Sequence, residues 1–514
     1  METPRRKFLV AFLVILALSV PLWPGFDRPA TAMDEGSLLV YPELILKGQL
    51  PYRDFETFYG PANLWVLSAA YAGFGPSIFA ERAVGLTYRV LTLLAIFALV
   101  QRWGTTLAAG CTIVASLLLL PILLGAYAWI GGAVCALWSI YMIAKPESVR
   151  RSFLGGILAG LALLFRVDLG PAVIASALPL FLLMRAARRW SYLGGAAFAL
   201  LPLGWLTVAA GPKEILNNLL LFPVIYSSPA RHLPTFSAKN YLVLLFFAHI
   251  VAVASNIFAG VIAIRADRRS PTARLLLSLA LLGLAVTHQA AQRIDLIHVM
   301  FVAFVSIGVL PLSIFVIRSH LRVTMSRPGE AALATAIALL LLEGISPEVA
   351  ATARAEVIAG LGGQTGTTVF LARHGRSFPL SSMYAAVTLS KMLDRLDALA
   401  SPGERVFVGP ADLRRTNANE TFIYHLMPQL RPATYFLEMN PRSANRPNSR
   451  LGQDIASADW LVLSHRFDGW NEPNKSAELG SDQPMRVVKD QFELCGQYGG
   501  RDLYRRRTPA VTKL

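Results

Sequence analysis

Residues 33–61 read MDEGSLLVYPELILKGQLPYRDFETFYGP and open a charged gap between apolar blocks. Upstream lies RRKFLVAFLVILALSVPLW (5–23), and downstream the apolar stretches 62–75, 83–101, 104–121 and 126–144 succeed one another with short breaks. Such blocks approach the roughly 20 residues that a helix needs to cross the hydrocarbon of a bilayer. In hydrocarbon the backbone must satisfy its own N–H and C=O groups, which leaves helices or a closed barrel. The blocks are continuously apolar, without period-2 alternation, so they predict helices. Composition agrees: of 514 residues, 54% are hydrophobic and 16% charged, against roughly 25% charged in soluble domains.

The net charge of +16 would suit a nucleic-acid partner. The basic residues, however, gather in short loops between apolar blocks and near the C-terminus, a pattern that signals topology and contact with anionic headgroups. No nucleic-acid-binding motif accompanies them, so no nucleic-acid partner is expected. Cys111, Cys135 and Cys495 form neither a disulfide framework nor a metal-ligand spacing. The N-terminus has the basic and apolar regions of a signal peptide, with ATA (30–32) as a conceivable cleavage site. The many further apolar blocks favour an uncleaved first helix.

Placing Arg5, Arg6, Lys7 and the basic loops 145–151, 185–189, 265–274 and 318–327 in the cytoplasm obeys the positive-inside rule, and parity orders the rest. Residues 151–185 form a hairpin with the turn FRVDLG (165–170) outside; 190–210 and 241–264 leave the loop 212–240 outside. In the same way 275–291 and 299–317 leave QRIDLIH (292–298) outside, and a last span at 329–346 delivers the remaining chain to that side. Four apolar stretches between 62 and 144 break the parity, so 62–75, the shortest, is expected to lie in the outer interface. The expectation is a polytopic α-helical protein of about eleven spans in a bacterial inner membrane, with a cytoplasmic N-terminus. The membrane part covers 1–350, including a first external loop at 25–61, and 351–514 forms an extracytoplasmic α/β domain. In that domain RVFVGP (405–410) and DWLVLSH (459–465) read as strands, 383–400 reads as a helix, and Arg501, Arg505, Arg506 and Arg507 form a basic tail. PATYFLEMNP (432–441) is distinctive but has no physical assignment from sequence.

Within 33–61, Asp34 and Glu35 come directly after the first span, ahead of a short amphipathic helix and a turn around Gly48. Arg53, Asp54 and Glu56 make a second charged group before Gly60 and Pro61. Read alone, the first acids could simply cap a helix start. The order of a first span, DE, a helix, G-x-x-P-Y-R-D-F and then G-P resembles the GT-C superfamily of membrane glycosyltransferases. The resemblance is to its family 39-like branch, related to protein O-mannosyltransferases and lipid A aminoarabinose transferases, and covers residues 8–210 best. It implies a sugar donor on a polyprenyl phosphate, an envelope glycan, lipid or protein as acceptor, and an acid of the first external loop at the catalytic centre. Asp34 would then be the base, with Glu35 as its neighbour.

Such a transfer makes its own demands. The acceptor hydroxyl loses a proton, which a carboxylate can take, and the departing phosphate gains negative charge, which a fixed cation can stabilise. The candidates for donor phosphate and substrate are Arg53, Asp54, Arg82, Arg166, Asp168, Arg293, Asp295 and His298, all expected at the outer face. Arg166 stands foremost because it is an ionisable residue at a membrane-embedded turn. Arg231 and His232 lie in the loop 212–240, which is suited to covering a cavity. A divalent cation on Asp34 and Glu35 stays open, since hard cations take carboxylates. The sequence departs from the aminoarabinose transferases in lacking an acid around 126 and a lysine near 60. A transporter or a non-catalytic envelope assembly protein is the rival reading; no repeat of the kind common in transporters is visible.

Overall fold

The computed structural model describes residues 4–145, 148–321, 325–362 and 368–508. Parts of two basic loops (146–147 and 322–324), the side chains of Arg5, Arg6 and Lys7, and the segment 363–367 near the expected domain start lie outside the described residues. The first half is helical throughout. It contains α1 (Pro4–Ser19), α2 (Asp34–Leu46), α3 (Pro61–Phe74), α4 (Ile78–Val100), α5 (Thr105–Leu119), α6 (Ala128–Ile143), α7 (Val149–Phe165), α8 (Gly170–Phe181) and α9 (Ala186–Ala210). After α10 (Pro212–Leu216) and α11 (Ser228–Arg231) come α12 (Asn240–Ala266), α13 (Pro271–Gln292), α14 (Leu296–Ser306), α15 (Leu310–His320), α16 (Arg327–Ile345) and α17 (Pro347–Gly360).

Among the described residues, seven helical segments are long and apolar enough to cross a membrane: Leu9–Asp27, Ile78–Trp103, Ala186–Ala210, Asn240–Ala266, Pro271–Gln292, Leu296–His320 and Arg327–Ile345. Thr105–Leu119, Ala128–Ile143 and Val167–Phe181 are shorter apolar helices. The protein is an integral membrane protein. Small residues let its helices approach closely, as is usual where lipid replaces water. A Cβ on Gly156 of α7 would stand 1.9 Å from the Tyr192 carbonyl of α9, and one on Gly195 would stand 2.1 Å from that of Phe153. The 14 residues of α3 extend about 21 Å, short of the roughly 30 Å of bilayer hydrocarbon.

The C-terminal part is a mixed five-stranded sheet in the order β4-β3-β5-β7-β6 beside the hairpin β1–β2. The hairpin is Val369–Arg373 and Arg376–Leu380; the sheet uses β3 (Arg405–Pro410), β4 (Arg431–Pro432), β5 (Trp460–Ser464), β6 (Phe492–Gln497) and β7 (Arg501–Arg506). Strand β3 pairs in parallel with β4 and β5, while β7 runs antiparallel to β5 and β6. The five residues of central β5 are all buried, as strands covered on both faces are. Helix α18 (Met383–Leu399) is the predicted one, α19 (Phe422–Leu426) and α20 (Leu451–Ala456) come next, and α21 (Gln483–Gln491) precedes β6.

Four sequence expectations are corrected. Helix α2 is not amphipathic: Glu35 to Leu44 are all buried, because α3 and α4 cover part of its surface and α19 covers the rest. Residues 212–240 are mostly helical, with a π-helix (Asn217–Tyr226) between α10 and α11. Arg501, Arg505 and Arg506 are not a tail but belong to strand β7, where Arg501 is sealed onto Glu420 by a 2.6 Å bond. Finally, α17 (Pro347–Gly360) straddles the expected boundary at 350 and packs with the helices, its Glu356 joined to Arg28 at 2.5 Å.

One apolar core runs from the helices into the sheet domain, joining Leu38 and Tyr41 to Phe378, Phe422 and Leu437. Polar pins accompany it. The Glu43 carboxylate holds Arg376 at 2.6 Å and His425 at 3.0 Å. The Tyr435 hydroxyl donates to the Tyr52 carbonyl at 2.6 Å, and the Glu56 N–H donates to the Tyr435 carbonyl at 2.8 Å. PATYFLEMNP is therefore one of the segments that dock the C-terminal domain on the first loop.

Candidate functional site: a two-chambered cavity at Asp34

Two adjoining cavities share Asp34, Tyr59, Arg231, Ile297 and His298. The inner one, about 120 Å³, reaches into the helices, where Arg166, Tyr127, Trp129 and Asn63 line it. The outer one, about 290 Å³, is closed by the C-terminal domain through Asn417, Glu438, Asn440, Trp470, Glu472 and Ser476.

Asp34 is the first residue of α2, a position where the helix dipole favours a carboxylate. Its side chain is half-buried, and no described side chain hydrogen-bonds it. Burial, then the charges of Glu438 and Glu35, push its carboxyl up from the usual range to about 6. Glu35, one position later, faces away. It accepts from Arg82 Nε at 2.9 Å and from the Thr31 N–H at 3.0 Å, and both members of the ion pair are fully buried. Arg82 Nη1 donates to the carbonyls of Gly25, Phe26 and Arg28, while its buried Nη2 has no hydrogen-bond partner among the described residues.

Glu438 accepts from the Tyr41 hydroxyl at 3.0 Å and from Asn440 at 3.2 Å. Burial raises its carboxyl above the usual range, although the Asn440 and Tyr41 hydrogen bonds oppose the rise. Across the cavity, Arg166 pairs with Asp168 at 2.5 Å and lies 5.8 Å over the Tyr59 ring; Gln289 also donates to Asp168. Among the described residues the Arg231 guanidinium has no ion-pair partner, so its charge stays available to the cavity it lines.

Arg293, Asp295 and His298 form a connected group. Arg293 meets Asp295 at 2.7 Å and Glu472 at 2.9 Å, and His298 Nδ1 meets Asp295 at 2.8 Å. Burial opposes ionisation of Asp295, but His298 and Arg293 outweigh it and hold that carboxyl below the ordinary range. The same balance, with Arg293 as partner, keeps Glu472 low. Among the described residues, four buried polar atoms in the two chambers have no hydrogen-bond partner: the Tyr127 hydroxyl, Trp129 Nε1, Asn417 Oδ1 and Ser476 Oγ. An orphaned buried polar atom is costly, so each marks a place where a ligand atom is wanted. Trp129 is held in position by stacking on Phe301, centroids 5.0 Å apart.

The structure therefore brings Asp34, Arg166, Arg293, Asp295 and His298 to one cavity. It sets four candidates apart: Glu35 and Arg82 are sealed against each other, and Arg53 pairs with Asp54 at 2.8 Å on the surface, outside both chambers. Asp34 and Glu35 consequently do not face one point, and among the described residues no three His, Cys, Asp or Glu side chains converge to hold a metal ion. Sequence reasoning passed over Glu438, Tyr127, Trp129, Trp470 and Glu472. Only Glu438 stood in a segment already marked as distinctive, because nothing local links any of these residues to the start of α2, from which they are far removed along the chain. Near residue 126, the buried Glu81 carboxylate of α4 accepts the Ala126 N–H at 2.5 Å.

The whole chain superposes on ArnT from Cupriavidus metallidurans bound to undecaprenyl phosphate, with a TM-score of 0.56 at 14% identity over 99% of both chains. ArnT in the apo state gives 0.52, again at 14% identity, over 97% of both. ArnT is a GT-C glycosyltransferase. The chain has the GT-C fold. No family model matches the sequence, and no curated protein matches it either, so the likeness resides in the arrangement of helices and sheet. In this architecture the loop at Asp34, the turn at Arg166 and the turn at Arg293 meet around the two chambers.

Proposed function

We propose that the chain is a glycosyltransferase that moves a sugar from a polyprenyl-phosphate-linked donor to an acceptor hydroxyl outside the cytoplasm. The observation that carries this reading is one cavity in which the raised Asp34 carboxyl faces the guanidinium groups of Arg166 and Arg231. The GT-C fold, shared with a protein that binds undecaprenyl phosphate, supports it.

In the proposed step the acceptor oxygen attacks the anomeric carbon of the donor as the bond from that carbon to the phosphate oxygen breaks. The hydroxyl proton passes to Asp34, and the bonding electron pair leaves with the lipid phosphate, inverting the anomeric centre. A base titrating near 6 is ionised at neutral pH yet still takes a proton, the compromise that favours general-base catalysis. Arg231, unpaired, is placed to meet the growing phosphate charge, with Arg166 beside it held in orientation by Asp168. The Tyr127 hydroxyl and Trp129 Nε1 would supply hydrogen bonds to donor oxygens in the inner chamber.

In this reading the N-terminus and basic loops face the cytoplasm, and the cavity with the C-terminal domain faces the opposite side. The test is transfer by the purified full-length chain from short polyprenyl-phosphate sugars, hexosyl and pentosyl, to a crude envelope extract. Donor consumption that depends on Asp34 supports the reading; donor turnover equal in wild type and Asp34→Asn overturns it.

A further inference from the structure

The outer chamber has a lining that the transfer chemistry leaves unused. Trp470 stands at its rim, 41% exposed, despite being a large apolar side chain in a folded domain. Its backbone is held from two sides: the backbone N–H donates to the Phe467 carbonyl at 3.0 Å, and the backbone carbonyl accepts from Asn417 Nδ2 at 3.4 Å. With Nδ2 so engaged, Asn417 Oδ1 is left buried without a donor, and Ser476 Oγ, 4% exposed for its residue, has no partner either. Asn440 and Glu472 complete the polar wall, with Glu472 held by Arg293 and by Asn474 at 2.9 Å.

A flat aromatic face beside a few fixed polar atoms, two of them orphaned, suits one ligand chemistry above others. A pyranose ring offers an apolar face of C–H groups to the indole, and hydroxyls around its edge that both donate and accept. An acyl chain would leave the polar wall unsatisfied at a cost for each orphan.

We infer that the outer chamber is a saccharide subsite, with Trp470 as its stacking platform and Asn417 and Ser476 as hydroxyl partners, so that the acceptor is a glycan. The inference rests on the proposed transferase reading and narrows its acceptor from three classes to one. The C-terminal domain contributes these residues, which gives its docking on the first loop a purpose: it sets the acceptor beside Asp34.

The experiment uses the full-length chain in detergent on an array of immobilised neutral and acidic oligosaccharides, with a peptide array and anionic phospholipid vesicles in parallel. Undecaprenyl phosphate binding is measured on the same preparations. Oligosaccharide binding is expected, weakened about tenfold by Trp470→Ala, weakened also by Ser476→Ala, largely kept by Trp470→Phe and unchanged by Arg53→Ala. Binding of peptides or vesicles but no oligosaccharide overturns the inference, as does oligosaccharide binding indifferent to Trp470→Ala. Undecaprenyl phosphate bound without any oligosaccharide sinks the glycan subsite and leaves the transferase reading standing. Loss of both in the wild-type chain counts against the two together.

Discussion

At the scale of single residues, Asp34 and Glu35 are adjacent on α2 but turned about 100° from each other around its axis, one toward the cavity and the other into Arg82. Replacing Asp34 with Asn is expected to slow transfer by about 10²–10⁴-fold, with donor binding retained. Because the carboxyl is pushed up to about 6, its base form is lost as pH falls through that value. Initial rates between pH 5 and 8 should show an acid limb near 6, and a limb near 4 would remove Asp34 from the role. The removed partner of a sealed ion pair behaves differently. Arg82→Ala should cost about 3–5 kcal/mol of stability, seen as a large drop in the melting temperature in detergent, whereas Arg53→Ala on the surface should change neither melting nor transfer. Glu56 offers a third contrast. It is buried against Ser443, and burial together with the Glu438 charge pushes its carboxyl to about 8. The folded chain thus holds a proton that the unfolded chain releases near 4.5, and that stability is present at low pH and lost as pH rises toward 8. Glu56→Gln should flatten this slope in melts taken from pH 5 to 9; an unchanged slope would mean another group carries it.

At the scale of elements, α2 is the hinge of the whole arrangement. Its run SLLVYPELIL reads from sequence as an amphipathic helix, yet ten successive residues of α2 are buried, because burial depends on what covers the helix. The cover is α19, and the contact is close: a Cβ on Gly36 would stand 2.6 Å from the Phe422 backbone nitrogen. Gly36→Ala should therefore push the C-terminal domain off the first loop. Limited proteolysis should show faster cutting between α17 and β1 and transfer should fall, while a variant as resistant and active as the wild type would show that the contact yields. The stretch 212–240 illustrates the reverse limit. Its prolines and aromatics read as a loop, but the backbone winds into a π-helix between two short helices, because Asn218 bonds both the Glu214 carbonyl and the Tyr435 hydroxyl. A wide helical turn stabilised by a residue 217 positions away leaves no local pattern to read.

At the scale of the whole molecule, the parity of the basic loops makes a direct prediction. With Cys495 replaced by serine, a cysteine at exposed Lys47 should react with a membrane-impermeant maleimide in intact cells, and one at exposed Arg150 only after permeabilisation. Equal labelling of both would reverse or break the topology. Charge and hydropathy along the chain were enough to determine that it is a membrane protein of many helices with a sheet domain after them, since both signals are local: length against bilayer thickness, and basic residues against the membrane face. They also drew attention to Arg166 and the Arg293–His298 turn, because an ionisable group among apolar runs needs a reason, whereas Asp34 was singled out by the family resemblance. Tertiary structure alone decided which of two neighbouring acids faces the cavity and which arginine is free. It also decided that Glu438 and Trp470, some 400 residues beyond Asp34, complete the site. Burial and hydrogen-bond partnership belong to the packed molecule, and a carboxylate has no fixed role until its surroundings set its charge.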